Sequence, residues 1–159
     1  DMSVEPFLIA STVNTIVAQR LVRRICPHCV QAYPASETQN ELIHRMIGAL
    51  LPQTTAEMEA AAYDLGYQRL PLGTQDGYTL YRGSGCKSCN GSGYQGRQGI
   101  FEVFAVTEEM EHLLATHATT SDVQRTAIEQ GMITMQQDGL LKALNGETTM
   151  EEVARVAQE

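Results

Sequence analysis

Four cysteines are the residues whose type and spacing carry chemistry in this chain. They fall in two pairs, Cys26-Pro-His-Cys29 and Cys86-Lys-Ser-Cys89. A Cys-x-x-Cys turn sets two thiolates on one side of a knuckle, with backbone N–H groups aimed at the sulfurs. Two such knuckles complete a tetrahedral shell of four soft ligands, which is the shell Zn2+ prefers. A closed shell leaves no position for water or substrate, so the metal it predicts is structural. Its binding free energy becomes folding free energy for the loop around it. One pair alone is a weak signal. Two pairs with no fifth cysteine are a strong one. No basic segment followed by an apolar run marks a secretory leader, and without one such pairs favour metal over disulfides.

The remaining chemistry is thin. His28 sits inside the first knuckle and is an alternative ligand, but four thiolates already fill the shell. His44, His112 and His117 stand alone on predicted helices and read as surface or core-edge residues. Arg97 and Glu102 flank a strand and read as a structural ion pair. No catalytic residue is assigned, and no Ser/His/Asp set is proposed. The chain holds no Gly-x-x-x-x-Gly-Lys-Ser/Thr phosphate loop, so these residues alone do not bind the phosphates of ATP in the usual way.

The elements that must position the cysteines follow from pattern. Thr15–Arg24 is rich in β-branched residues and suits a strand, although a helix fits the pattern nearly as well. Pro6 suits a helix start, with Phe7, Leu8, Ile9 and Val13 as a short apolar face. Between the knuckles, Leu42, Ile43, Met46, Ile47, Leu50 and Leu51 form one stripe of a helix that Pro52 stops. Thr54-x-x-Glu57 predicts a second helix, through about Leu65 and closed by Gly66. Asp76-Gly77 reads as a turn, and Tyr78–Tyr81 as a strand leading to the second knuckle. The glycines from Gly83 to Gly99 suit a tight metal loop, and Gly99–Val106 is a buried strand. From Thr107 the pattern turns helical. Met110, Leu113 and Leu114 share a face. Ser121-x-x-Gln124, Thr134-x-x-Gln137 and Thr149-x-x-Glu152 open three further helices, and Gly131 and Gly146 end the first two of these.

The 159 residues suffice for one domain or two small ones. No apolar run approaches the roughly 20 residues needed to span a bilayer. The opening residues, Asp1 to Pro6, read like the interior of a longer protein. Net charge is −8, which argues against a nucleic-acid binder. Yet Arg20, Arg23, Arg24, Arg82, Lys87 and Arg97 surround the cysteines, while acidic residues concentrate from Glu102 onward. A local basic patch on an acidic body is the expectation, with a merely solvated surface as the plainer reading.

Several segments resemble one family. They are Val4-Glu-Pro-Phe-Leu-Ile-Ala-Ser-Thr12, Ala18-Gln-Arg-Leu-Val-Arg-Arg-Ile-Cys-Pro-His-Cys29, the run from Gly85 to Val103, and Gly131-Met-Ile-Thr-Met-Gln-Gln-Asp-Gly139. The chain is similar to the type II secretion and type IV pilus assembly ATPases of the branch with a tetracysteine zinc element. The resemblance runs from Val4 to about Val156. The insert between the knuckles, about 32–79, departs from it.

The resemblance implies an α+β fold. Residues 1–25 and 97–106 would be the end of a RecA-like ATPase domain. Residues 26–96 would form the zinc element with a helical insert, and 107–159 a C-terminal helical subdomain. Ile16–Arg24 and Arg97–Val106 would be neighbouring antiparallel strands with the zinc loop between them, which favours the strand reading of 15–24. Cys26, Cys29, Cys86 and Cys89 would hold structural Zn2+. The family's Walker A loop, acidic boxes and histidine box lie upstream of these residues, so ATP and Mg2+ belong to the full-length parent and this piece is not expected to act alone. By the same resemblance the parent is a homohexamer, cytoplasmic and peripheral to the inner membrane, reaching the membrane through an inner-membrane platform protein; the acidic balance, not the resemblance, is what predicts no nucleic-acid partner. Arg20, Arg23, Arg24 and Arg97 are the expected interface to a neighbouring subunit or to the platform.

Three rival readings compete. Cys86-Lys-Ser-Cys-Asn-Gly-Ser-Gly93 matches the Cys-x-x-Cys-x-Gly-x-Gly unit of J-domain chaperones, but those repeat it and the first knuckle here lacks the glycines. A nucleic-acid-binding zinc ribbon conflicts with the acidic balance and the scarcity of aromatics at the knuckles. A thiol–disulfide oxidoreductase needs an exposed low-pKa cysteine at a helix N-terminus, and neither knuckle obviously precedes a helix.

Overall fold

From Thr15 to Ile25 burial alternates before it deepens. Ile16 and Ala18 are half-buried, Val17 and Gln19 are exposed, and Val22 and Ile25 are fully covered. A two-residue period is a strand's signature, not a helix's. This strand, β1, pairs antiparallel with a second long strand, Tyr94–Ala105, so the extended reading of this segment holds. The computed structural model describes residues 12–50, 55–64, 66–67, 77–116 and 118–157. In chain order the elements are β1 (Thr15–Ile25), β2 (Val30–Pro34), α1 (Glu37–Ile47), α2 (Thr55–Asp64), β3 (Thr79–Gly83), β4 (Tyr94–Ala105), α3 (Glu108–Ala115), α4 (Thr120–Glu129), α5 (Met135–Leu144) and α6 (Met150–Ala157). The fold is α+β, as expected. Among the described residues, no helix is long and apolar enough to cross a membrane.

The chain divides into two compact units, Asp1–Gln19 with Phe101–Met135 and Arg20–Ile100 with Gln136–Glu159. In the larger unit, β2 and β3 pair antiparallel in register from Val30↔Gly83 to Pro34↔Thr79. The first knuckle precedes β2 and the second follows β3, so this ribbon brings the two together. Ser36 starts α1 with a capping box: its hydroxyl accepts the Gln39 amide, and the Gln39 side chain accepts the Ser36 amide. Ile43 and Ile47 of α1 meet Leu80, Leu140, Leu141 and Leu144 in one core. Leu42 is the departure from the expected stripe, with 38 % of its surface exposed. Helices α5 and α6 approach closely at Gly139, where an added Cβ would lie 2.7 Å from Val153 Cγ1.

The smaller unit packs Met110, Ala127 and Met132 into a compact core, flanked by Phe104, Val106, Leu114 and Val123. The start of α4 differs from expectation. Thr119 and Asp122, not Ser121 and Gln124, form the capping box. Threonine is a good N-cap, if weaker than serine, and the Asp122 carboxylate accepts the Thr119 amide as a glutamine would, so both registers satisfy the pattern. Gly131 and Gly146 lie in the left-handed region at φ +94° and +80°, where the pattern placed the ends of α4 and α5. Glu102 accepts the Met135 amide at 3.2 Å, which is the partner found for the carboxylate that the sequence paired with Arg97. Phe7–Ile9, Leu51, Pro52, Thr54 and Asp76 fall outside the described residues.

Candidate metal centre

The site is built on close backbone approach. Strand β1 delivers the first knuckle, and Cys26 donates its N–H to Gly93 O at 2.9 Å. Ser84, just past β3, donates to Cys29 O at 2.9 Å. Each knuckle is thereby tied to the other segment. Such proximity needs glycine: a Cβ at Gly83 would lie 2.1 Å from Gly93 O, and one at Gly85 would lie 2.7 Å from Gly91 O. The second knuckle closes as a short 3-10 turn, Lys87–Cys89, and Asn90 leaves it at φ +51°. Asparagine tolerates that left-handed geometry better than most residues.

These ties gather the four sulfurs. All four Sγ atoms lie within 4.8 Å of one another. Cys26 and Cys86 are 3.9 Å apart, Cys29 and Cys89 3.9 Å, and Cys86 and Cys89 3.7 Å. A tetrahedron with metal–sulfur bonds of about 2.3 Å has sulfur–sulfur edges of about 3.8 Å. A disulfide would need about 2.05 Å. The spacing therefore matches a four-thiolate metal shell and not a cystine. Amides are also aimed at sulfur, with Cys86 N–H at 3.2 Å and Gly93 N–H at 3.3 Å from Cys89 Sγ. Those donors, Cys86 first, hold the Cys89 thiol down at about 6. Burial acts the other way in the first knuckle, pushing Cys29 up to about 11 and raising Cys26 as well. His28 is exposed and stands outside the sulfur cluster.

The arginines separate into two kinds. Arg23 is anchored: its Nη2 meets Glu152 Oε1 at 2.6 Å, its amide meets Glu152 Oε2 at 3.0 Å, and its guanidinium stacks 4.1 Å over the Tyr94 ring. Arg155 holds the same carboxylate through Nε at 3.0 Å and Nη2 at 2.8 Å. Glu152 is only 2 % exposed, and the two guanidiniums hold its carboxyl far below the ordinary range. Arg20 donates to Val156 O. Arg24 and Arg97 are exposed, and Arg97 lines a shallow concavity with Arg23, Ser92, Tyr94 and Gly96. The pattern did not single out the Glu152–Arg155–Tyr94 network. Its only trace in sequence is a glutamate at the first turn of a predicted helix, which reads as a capping residue.

Comparison with known proteins follows this geometry. The family model described as type II/IV secretion system protein matches residues 1–155. The type IV pilus assembly ATPase PilB of Thermus thermophilus is 36% identical over 154 residues, which are 96% of this chain and 14% of that protein. The type II secretion system ATPase E of Vibrio cholerae is 33% identical over 159 residues, 100% of this chain and 26% of that protein. The type II secretion system protein E of Dickeya dadantii is 35% identical over 159 residues, again 100% of this chain and 26% of that protein. The chain thus spans about a quarter or less of the length of these relatives.

Proposed function

Because the chain belongs to the type II/IV secretion system protein family, we propose that it is the zinc-stabilised C-terminal region of a hexameric ATPase that powers type II secretion or type IV pilus assembly. Residues 1–25 and 97–106 are assigned to the end of a RecA-like domain, 26–96 to the zinc element, and 107–159 to a helical subdomain. The full-length protein would bind ATP and Mg2+ elsewhere, work peripheral to the inner membrane, and engage a platform protein there. The observation that carries the reading is the convergence of four thiol sulfurs at metal-shell spacing. With every donor supplied by protein, the ion supplies cross-linking and not Lewis-acid chemistry.

The role follows from rigidity. Cys26, Cys29, Cys86 and Cys89 would bind the ion and fix the ends of a long insert, so that the loop transmits force or docks without the ordering cost of a flexible one. Metal analysis with thiol accounting on full-length protein purified without chelator tests this. About one zinc per chain is expected, with all four thiols protected until it is stripped. Cys26→Ser and Cys86→Ser chains should lose the metal and fail to support secretion or pilus assembly. A metal-free protein with freely reactive thiols that still supports either process would overturn the reading.

A further inference from the structure

Charge is partitioned along this chain more sharply than its total reveals. Residues 20–36 and 77–100, which carry both knuckles, hold six cations, Arg20, Arg23, Arg24, Arg82, Lys87 and Arg97, and not one Asp or Glu. All six side chains are exposed. Residues 101–135 hold six carboxylates against one cation, Arg125. Three of the six, Glu108, Glu109 and Glu111, crowd the first turn of α3, and all three are exposed. Solvation alone does not require such segregation, because mixed signs keep a surface equally soluble.

The cationic side also has a shaped feature. Arg23, Ser92, Tyr94, Gly96 and Arg97 line the shallow concavity described above. Its floor is open at Gly96, where an added Cβ would meet nothing within 4 Å. Arg23 is preset there by Glu152 and the Tyr94 ring, so ordering it on binding costs little. Arg97 stands beside it with no carboxylate in its own segment. An acidic helical turn matches this concavity in the sign of its charge. On α3, Met110 is wholly buried while the glutamates on either side face out, so the helix presents carboxylates from a fixed base.

We propose that the arginine-lined concavity of the metal-bearing loop docks on the acidic first turn of α3 in a second copy of this chain. The two patches differ, so the contact is heterologous and repeats head to tail, closing a ring or extending a fibre. The inference deepens the reading of the chain as an assembling subunit, and rests on it only in taking the metal-bearing loop as folded.

Sedimentation velocity of the chain tests this, with metal content measured on the same samples. At about 10 mM salt, where the Debye length is about 30 Å, association rising with concentration is expected; at about 1 M, where it is about 3 Å, association should vanish. Arg97→Glu should weaken association at least about tenfold, and Glu108→Lys with Glu109→Lys and Glu111→Lys should do likewise. Arg24→Glu makes the same charge change outside the concavity and should stay within about threefold of the parent. Mixing the Arg97→Glu chain with the triple-lysine chain should restore a discrete heterodimer, since one brings an intact acidic helix and the other an intact concavity. A parent chain that stays monomeric at low salt, equal effects of Arg24→Glu and Arg97→Glu, or a mixture that forms no complex would each overturn the proposal. Metal retained in the variants shows that the loop is still folded. A parent chain without metal that nonetheless associates in this pattern would sink the zinc reading and support the docking.

Discussion

Cys89, in the second knuckle, is buried, accepts two amide N–H groups, and has its thiol held at about 6. Cys29, in the first, has identical spacing to its partner, yet burial pushes it up to about 11 despite the opposing Gly85 amide. The surroundings of Cys89 thus favour its thiolate before any metal arrives, whereas those of Cys29 disfavour it. Local amides make the difference, that of Cys86 first and that of Gly93 after it. Gly93, at φ +77°, brings its N–H to the Cys89 sulfur, and no residue with a side chain makes that approach cheaply. The first knuckle has Pro27 and His28 and no glycine, and its order comes from β1 and from Ser84 across the gap. Equal spacing therefore does not make equal ligands: one knuckle is organised locally, the other by tertiary contact.

The largest effect that sharpens this contrast is ligand removal. Cys89→Ser should abolish metal retention through gel filtration, while Cys29→Ser should retain a weaker, exchangeable ion; the reverse order would break the comparison. Metal uptake should release protons at pH 7, because burial raises the Cys29 and Cys26 thiols and a metal-bound thiol is deprotonated. Affinity should accordingly rise with pH, and calorimetry in two buffers of different ionisation enthalpy counts the protons. Next in size are the glycines. Gly93→Ala combines a left-handed φ with a Cβ 2.6 Å from Gly83 O, and should cost about 3 kcal/mol in urea unfolding. Gly91→Ala has the same φ, +77°, but open space, and should cost about 1 kcal/mol.

Much of this was legible in the residues. Two Cys-x-x-Cys units name a four-sulfur shell, and an apolar face for α3, cap residues for α4 to α6 and glycines after α4 and α5 marked these helices before any coordinates. What the pattern left open has physical causes. Thr15–Arg24 suits helix and strand alike in a single sequence, and only the partner strand β4 decides between them. Thr119 and Ser121 both satisfy a cap rule two residues apart, so local pattern alone does not select the register. Glu152 and Arg23 are 129 residues apart, and a contact at that range leaves no local trace. The Gly83–Gly93 approach was half legible: the glycines announced a tight loop, but not which backbone they admit.

Glu152 is the long-range support of the first knuckle, since its partner Arg23 lies three residues before Cys26 on β1. Glu152→Gln keeps shape, loses charge, and should cost about 2 kcal/mol, because a nearly buried carboxylate with four N–H donors is replaced by a group that accepts fewer. The carboxyl is held below its ordinary 4.5, by Arg155 first and then Arg23. Its contribution is thus complete above that value and fades as pH falls below it. The gap between parent and variant in urea midpoint should narrow in acid, and a gap that widens would contradict the assignment. If the first knuckle depends on tertiary support, the same variant should also hold metal less tightly.

Ser92→Ala gives the smallest effect and probes the other side of the contrast. The Ser92 hydroxyl donates to Cys89 O at 2.6 Å and accepts the Tyr94 amide at 3.3 Å, bracing the exit of the second knuckle from within its own turn. An exposed brace of this kind contributes about 0.5–1 kcal/mol. A bound ion would fix the same turn through Cys86 and Cys89, making the brace redundant. Ser92→Ala should therefore lower the urea midpoint of the chelator-stripped chain and leave that of the metal-loaded chain nearly unchanged. Equal losses in both states would mean that the second knuckle is not preformed, and the distinction between a locally built knuckle and a tertiary one would fall with it.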